Sequence, residues 1–230
     1  MQNELMLRLG VFLILFFILA CLESVFPKRN RVQPRKGRWI TNWTLVILDT
    51  LCLRVVAIVI PFVATLAAFD AVANNWGLMN FLLLPTWLEV LVSILFFDFA
   101  IWAQHFFTHK IPVLWKLHRV HHADRDMDVS TAIRFHPFEI ALSMGLKILL
   151  IYILGPAVLA VVLFEVILNG SSMFNHANLA IPKSAEKYLR WFFVTPDMHR
   201  IHHSSLREEH DTNYGFALSF WDRIFKTYKS

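Results

Sequence analysis

The chain has 230 residues, 57% of them hydrophobic, and the apolar residues gather into long blocks, which is typical of a membrane protein. The formal net charge of +5 is concentrated in a basic run at residues 27–38, directly after an apolar block, so positive-inside topology explains it and no nucleic-acid partner is expected. The two cysteines, Cys21 and Cys52, form no CxxC pair, which argues against a disulfide and against a thiolate metal site.

Three apolar blocks predict three membrane crossings in chain order. Residues 5–22 are just long enough to span a bilayer, and no cleavage site follows, so they predict a retained anchor. A second block runs over residues 45–69, with a crossing that begins near Leu51 and contains Pro61. The third starts near residue 78 or 85 and leads directly into HFFTH at 105–109. If the basic run is cytoplasmic, the third crossing ends on the cytoplasmic side.

A fourth apolar region, residues 140–168, is broken by Gly155 and Pro156. As one straight helix it would carry the rest of the chain to the opposite face of the membrane. If the chain turns at Gly155 and Pro156, two short helices form a re-entrant hairpin and the C-terminal part stays cytoplasmic. The sequence therefore predicts an all-α integral membrane bundle of about three full crossings, this hairpin and a cytoplasmic helical cap. We expect one domain over 1–230, with anchor helices in 1–102 and a histidine-rich region in 103–230.

Eight of the eleven histidines fall into three clusters at helical spacing. They are His105 and His109; His118, His121 and His122; and His199, His202 and His203. Spacings of three and four residues place the members of a cluster on one helical face. Imidazole ligands without thiolate suit zinc, copper, nickel or iron, and eight or more ligands are too many for one ion. The near-identical stretches HRVHH (118–122) and HRIHH (199–203) are therefore predicted to meet in one dinuclear metal site.

Other sites built from these residue types are missing from the sequence. There is no HExxH, no glutamate followed three residues later by histidine, and no glycine-rich nucleotide loop. A histidine-rich membrane metal transporter and a bis-histidine haem protein remain as alternatives to an enzyme.

Two carboxylates lie near the clusters. Asp98 is two helical turns before His105 and could orient a ligand by accepting a hydrogen bond from its second ring nitrogen; a Trp or Ser partner is the alternative. Asp197, two residues before His199, could do the same or could stabilise a helix N-terminus.

The order HxxxH, HxxHH, HxxHH among apolar helices resembles the fatty acid hydroxylase / sterol desaturase superfamily. The matching stretches are HFFTH (105–109), LWKLHRVHHAD (114–124), TAIRFHPFE (131–139), NHANL (175–179), TPDMHRIHHS (195–204) and NYGFALSFWDRIFKTY (213–228). The resemblance implies an integral membrane, non-haem di-iron enzyme that hydroxylates or desaturates a lipid, with O2 as co-substrate. It implies two iron ions, with zinc as a substitute in purified protein, and electrons from a separate donor protein.

The resemblance also implies the metal ligands. The eight clustered histidines match the family motifs, and His176 matches an additional histidine between the two HxxHH stretches. His136 lies in an HPxE pattern and is either a ligand or a structural residue, whereas His210 has no match and is expected to be a solvated loop residue. The metal site is expected on the cytoplasmic face. The lack of a long N-terminal extension or a fused domain favours a bacterial inner membrane over the endoplasmic reticulum.

Overall fold

The structure is a computed structural model that describes the backbone of residues 2–59 and 64–230 and the side chains of 6–55 and 64–230. Helices are the regular secondary structure of the described residues, which confirms the all-α prediction. The helices are α1 (Gln2–Val25), α2 (Arg35–Val59), α3 (Ala64–Ala73), α4 (Met79–Leu82), α5 (Thr86–Lys110), α6 (Pro112–His122), α7 (Pro137–Leu154), α8 (Val158–His176), α9 (Lys183–Leu189), α10 (Pro196–His202), α11 (Arg207–His210) and α12 (Phe220–Ile224), with a 3₁₀ turn at Val129–Ile133. Extended backbone in the described part is limited to two isolated bridges, Pro27 with Leu179 and Phe193 with Leu218.

Four of the described helices are long and apolar enough to cross a membrane: α1 over Met6–Val25, α5, α7 and α8. The first and third predicted crossings therefore correspond to single helices. The second predicted crossing is divided between α2, which already begins at Arg35 inside the basic run, and α3. Its middle, with Pro61, lies outside the described residues.

The chain turns at Gly155, which is one of the two alternatives that the sequence leaves open for residues 140–168. Gly155 is in the left-handed conformation (φ +65°), and a Cβ there would lie 2.2 Å from the carbonyl oxygen of Trp76. Gly77, with φ +94°, approaches the same turn from the other side. Glycine is needed at both positions because only it combines this backbone conformation with so close a contact.

The two helices that meet at this turn are longer than the sequence indicates. α7 begins at Pro137 and has 18 residues, and α8 continues to His176 and has 19. At 1.5 Å per residue they are about 27 and 28 Å long, close to the thickness of a bilayer core. Each helix therefore has the length of a full crossing, whereas the apolar residues alone predict a partial dip.

Two apolar clusters and several buried ion pairs hold these helices in place. The larger cluster joins α3, α5, α7 and α8, and the second packs α1 against the 3₁₀ turn and α8. On the side of the basic run, the Arg38 guanidinium donates two hydrogen bonds to Asp124, at 2.6 and 2.8 Å, and one to Asp128 at 2.8 Å. This network fixes α2 to the segment that follows α6, next to the histidines.

Candidate metal centre

Four helices bring the histidines together. α5 carries His105 and His109 in its last two turns, and Pro112 starts α6 after a single linking residue. α8 ends at His176. Thr195 caps α10 by accepting a hydrogen bond from the Met198 N–H at 3.3 Å. The turn at Gly155 returns α8 toward α6, so sequence positions 118–122 and 199–203 become neighbours.

Nine histidines form two adjacent groups in which all ligand nitrogens of a group lie within 4.8 Å of one another. Group one consists of His105, His109, His118, His122 and His202, and group two of His121, His176, His199 and His203. α6 gives two imidazoles to group one and one to group two, whereas α10 gives one to group one and two to group two. Each HRxHH helix therefore lies between the two groups, which explains why the motif occurs twice.

The Nδ1 atoms of five of these imidazoles face a protein acceptor. Four face backbone carbonyl oxygens: His105 with Tyr214 (2.8 Å), His121 with Arg134 (3.1 Å), His176 with Ser172 (2.6 Å) and His202 with Thr212 (2.7 Å). The fifth, His118, faces the Glu139 carboxylate at 2.6 Å. Because an acceptor requires a proton on Nδ1, the Nε2 atom of each of these rings carries a lone pair in the neutral form of the imidazole.

The lone pairs converge on one another. The Nε2 atoms of His105 and His118 are 3.1 Å apart, and those of His121 and His176 are 3.0 Å apart. Neither nitrogen of such a pair has a hydrogen to donate, so the contact is repulsive unless a cation lies between them. Nitrogens bound at about 2.1 Å to one ion, at an angle of about 90°, are about 3.0 Å apart. The residues present therefore fit transition-metal ions.

The remaining ring nitrogens support this interpretation. Several buried ones have no hydrogen-bond partner, among them both nitrogens of His109 and the Nε2 atoms of His122 and His202. Burial lowers the pKa of five imidazoles on α6 and on α10 with its C-cap, namely His121, His122, His199, His202 and His203. These rings are therefore held neutral, the state that a metal ligand requires.

Three predicted site residues lie apart from both groups. His136 is the N-cap of α7, where its Nδ1 accepts a hydrogen bond from the Phe138 N–H at 3.2 Å. Asp98 accepts from the Trp221 indole at 2.8 Å, so the structure shows the Trp partner that was the alternative to a ligand contact. Asp197 accepts hydrogen bonds from Lys28 (2.6 Å) and Arg200 (2.5 Å) and touches no imidazole.

Sequence reasoning missed two residues at the site. Glu139, the last residue of the HPFE pattern, orients His118. The pattern could have indicated a role for this glutamate, because it follows His136 by one helical turn. His210 is half-buried, stacks on Trp115 with ring centroids 5.2 Å apart, and lies with Asp211 beside His109. No spacing rule connects His210 to the clusters, since it is seven residues beyond the last one.

Two openings reach the histidines from different directions. A cavity of about 190 Å³ between α5, α7 and α8, here called the inter-helix cavity, is lined by His105 and His118 and by both apolar side chains, such as Met144 and Leu168, and polar ones, such as Lys147. A larger cleft of about 850 Å³, here called the polar cleft, is lined by His122, His203 and residues of the basic run. One opening lies among apolar helices and the other among charged side chains.

Comparison with known proteins agrees with this geometry. The fatty acid hydroxylase family model matches residues 90–227, which include all eleven histidines. The chain belongs to this family. Several of its curated relatives are named as lipid hydroxylases or monooxygenases.

Three relatives illustrate the range of the family. The chain is 23% identical over 228 residues to the ornithine lipid hydroxylase OlsE of Rhizobium tropici, covering 95% of this chain and 66% of the relative. It is 27% identical over 175 residues to human alkylglycerol monooxygenase, covering 72% of this chain and 36% of that protein. Mouse cholesterol 25-hydroxylase is 27% identical over 145 residues, covering 62% and 47%. The chain thus spans about two thirds or less of each relative, and no solved structure matches it.

Proposed function

We propose that this protein is an O2-dependent lipid hydroxylase whose two iron ions are held by group one and group two. The observation that carries the proposal is the convergence of imidazole lone pairs at 3.0–3.1 Å, which needs cations between them. The similarity to hydroxylases and monooxygenases supports iron and O2 over a redox-inert ion.

The overall reaction replaces one C–H bond of the lipid by C–OH. One atom of O2 enters the lipid and the other leaves as water, with two electrons and two protons consumed. When bound, the iron ions supply the O2 activation that side chains cannot provide. No haem, flavin or iron–sulfur motif occurs in the sequence, so we propose that a separate donor protein delivers the electrons.

The chain's own residues orient the ligands and separate the two approaches. Glu139 and the four carbonyl acceptors fix the ring orientation and keep the proton on Nδ1, which leaves each Nε2 for metal binding. The inter-helix cavity is the proposed lipid site, since it places an apolar chain against His105 and His118 and excludes water from the reacting carbon.

We further propose that the histidines lie on the cytoplasmic side of the membrane. The basic run contacts the residues that flank them: Lys28 pairs with Asp197 and Arg38 with Asp124. The run and the metal centre are thus on one side, and positive-inside topology assigns that side to the cytoplasm. A bacterial inner membrane is the proposed location, with the bacterial relative OlsE as support.

A membrane metal transporter fits the structure less well. Transport predicts ligands spaced along a path through the membrane, whereas these nine imidazoles form two adjacent groups at one end of α5. A bis-histidine haem is also disfavoured, because nine nitrogen donors packed this closely leave no room for a porphyrin.

Lipid analysis after growth under isotopically labelled O2 tests the proposal. Cells that express the protein are expected to accumulate a lipid heavier by one labelled oxygen, and cells that express His122→Ala are not. A lipid product lighter by two hydrogens would show that the reaction is desaturation and not hydroxylation. Iron-loaded wild-type protein that leaves the lipids of its native host unchanged would contradict the proposed function.

A further inference from the structure

A patch of exposed apolar side chains lies outside the four candidate spans. We call it the interfacial patch; it consists of Tyr188, Leu189, Trp191, Phe192, Phe193, Ile224 and Phe225, which are between 36% and 70% exposed. Monomeric proteins in water rarely expose a continuous apolar surface of this kind without a binding partner.

The segments that carry these exposed side chains are held in place by contacts within the fold. The Phe192 carbonyl accepts a hydrogen bond from the Ser219 N–H at 3.0 Å, and the Val194 N–H donates to Ala217 at 3.1 Å. The Arg223 guanidinium lies 4.6 Å from the centroid of the Trp191 ring and so connects the two halves of the patch. The segment therefore cannot turn its apolar side chains inward.

Contacts with α5 indicate the depth of the patch. The Phe225 ring stacks on Trp102 with centroids 4.5 Å apart, and the Trp221 indole donates to Asp98 at 2.8 Å. If α5 crosses from Thr86, about 20 of its residues fill the bilayer core, which ends near His105. Asp98 and Trp102 then lie about 4–11 Å inside that boundary at 1.5 Å per residue. The C-terminal segment beside them is at the same depth.

The charges around the patch fit a lipid surface. In segments 183–193 and 220–226, the exposed charged side chains are Lys183, Lys187 and Lys226, all of them cations. The acids of these segments, Glu186 and Asp222, are buried. A surface that enters the headgroup region of an anionic membrane typically combines cations with Tyr and Trp, and has Phe next to them. A second copy of the chain would instead bring like charges together.

We infer that the interfacial patch is inserted into the bilayer interface at the histidine end of α5, as a membrane attachment separate from the spanning helices. Tyr188 and Trp191 lie at the level of the headgroups, and Phe192 and Phe193 reach the acyl boundary. The C-terminal segment that supports the patch also supplies the Tyr214 carbonyl to His105 and lines the inter-helix cavity with Phe216. The inference depends on α5 spanning the membrane and is independent of the proposed chemistry.

Spin-label accessibility in vesicles of phosphatidylcholine and phosphatidylglycerol tests this inference. In full-length protein with Cys21→Ser and Cys52→Ser, a nitroxide is attached at Phe192→Cys or, as a second reporter, at Ile224→Cys. Leu13→Cys on α1 is the lipid-facing reference, and Arg207→Cys, whose native side chain is 88% exposed, is the reference in the cap. The labels at 192 and 224 are expected to collide with oxygen in preference to a water-soluble nickel chelate, as at position 13 and opposite to position 207.

Two results would overturn the inference. Accessibility of both reporters to the nickel chelate, equal to that at position 207, would place the patch in water. Protection from both reagents, with spin–spin broadening between labels, would show that a second copy covers it.

Discussion

At the scale of single residues, the carboxylate of Glu139 has the most direct influence on the metal centre. It is buried and contacts the Nδ1 of His118 at 2.6 Å, while the Nε2 of the same ring faces His105. A carboxylate partner fixes the tautomer and raises the basicity of the other ring nitrogen. Glu139 therefore acts on group one through His118 without being a ligand.

Glu139→Ala is expected to weaken metal binding to group one by about 10- to 100-fold, since outer partners of ligating histidines contribute effects of this size. Glu139→Gln should lose less metal affinity, because its amide oxygen can still accept a hydrogen bond from the Nδ1 of His118. Titration of the purified protein with zinc against a competing chelator measures the change, with Glu208→Ala on α11 as the control. Equal affinity in Glu139→Ala and wild type would contradict the assignment.

Alanine substitutions distinguish a histidine that is proposed to bind metal from one that only lies beside the site. His203→Ala removes an imidazole of group two and is expected to lower bound iron and to abolish lipid oxidation. His210→Ala removes a ring that stacks on Trp115 at the margin of group one and should retain both iron and product. Metal analysis by mass spectrometry, together with lipid analysis of the same cells, checks both variants. Full iron content in His203→Ala would refute group two as a metal site.

At the scale of secondary structure elements, the sequence predicts the helices and the convergence of His118–His122 with His199–His203, because helical spacing and the break at Gly155 are local signals. It does not predict what depends on contacts distant in the chain. The partner of Asp98 is Trp221, and the interaction of Asp197 with Lys28 joins residues 169 apart. The lengths of α7 and α8 also differ from the apolar blocks, since the helices continue through polar residues that face the metal centre.

The turn between α7 and α8 determines where His176 is placed. Gly155→Ala is expected to lower the free energy of unfolding by about 1–3 kcal/mol, because the added Cβ meets Trp76 in a conformation that L-residues disfavour. Gly145→Ala on α7 is the matched control: it has open space, and helix propensity predicts a gain of about 0.5–1 kcal/mol. Thermal unfolding in detergent compares the two, and a stable Gly155→Ala would show that the turn tolerates a side chain.

The buried pair of Arg38 and Asp124 connects α2 to α6, and it predicts an acid-sensitive contact. Burial raises the pKa of Asp124, but hydrogen bonds and the charge of Arg38 outweigh burial and hold the pKa below its usual 3.8. Because the folded pKa is the lower one, the pair stabilises the fold above about pH 4 and this contribution is lost as the pH falls further.

Asp124→Asn is therefore expected to be less stable than wild type at neutral pH and to lose less stability on acidification from pH 5 to about pH 3. Asp124→Ala should cost about 3–5 kcal/mol, because it leaves the Arg38 guanidinium buried without its main partner. Melting temperatures over this pH range measure both effects, with Asp126→Asn at the rim of the polar cleft for comparison. Parallel pH profiles for wild type and Asp124→Asn would contradict the assignment.

At the scale of the whole molecule, the candidate metal centre is reached from two directions, one between candidate spans and one among the charged side chains of the polar cleft. The inter-helix cavity reaches His105 and His118, and the polar cleft reaches His122 and His203. Under the proposed function, lipid and water-soluble reactants would have separate routes to the two groups of histidines.

Narrowing the cavity should reduce lipid turnover without changing the metal centre. Met144→Trp adds volume to a cavity of about 190 Å³ and is expected to lower product formation by more than tenfold while metal content is retained. Leu149→Trp, on a part of α7 that is exposed to lipid, is the control and should retain activity. Product yield and iron content measured on the same preparations check the prediction, and unaltered turnover in Met144→Trp would place the lipid elsewhere.

The sharing of α6 and α10 between the two groups has a consequence for metal uptake, provided that both groups bind the proposed ions. An ion that enters group one immobilises both helices, and these helices carry three of the four imidazoles of group two. The second ion then meets a nearly preassembled site, so uptake should be cooperative. Under iron shortage, most molecules in a cell would carry either no ion or two ions, and few would carry a single ion.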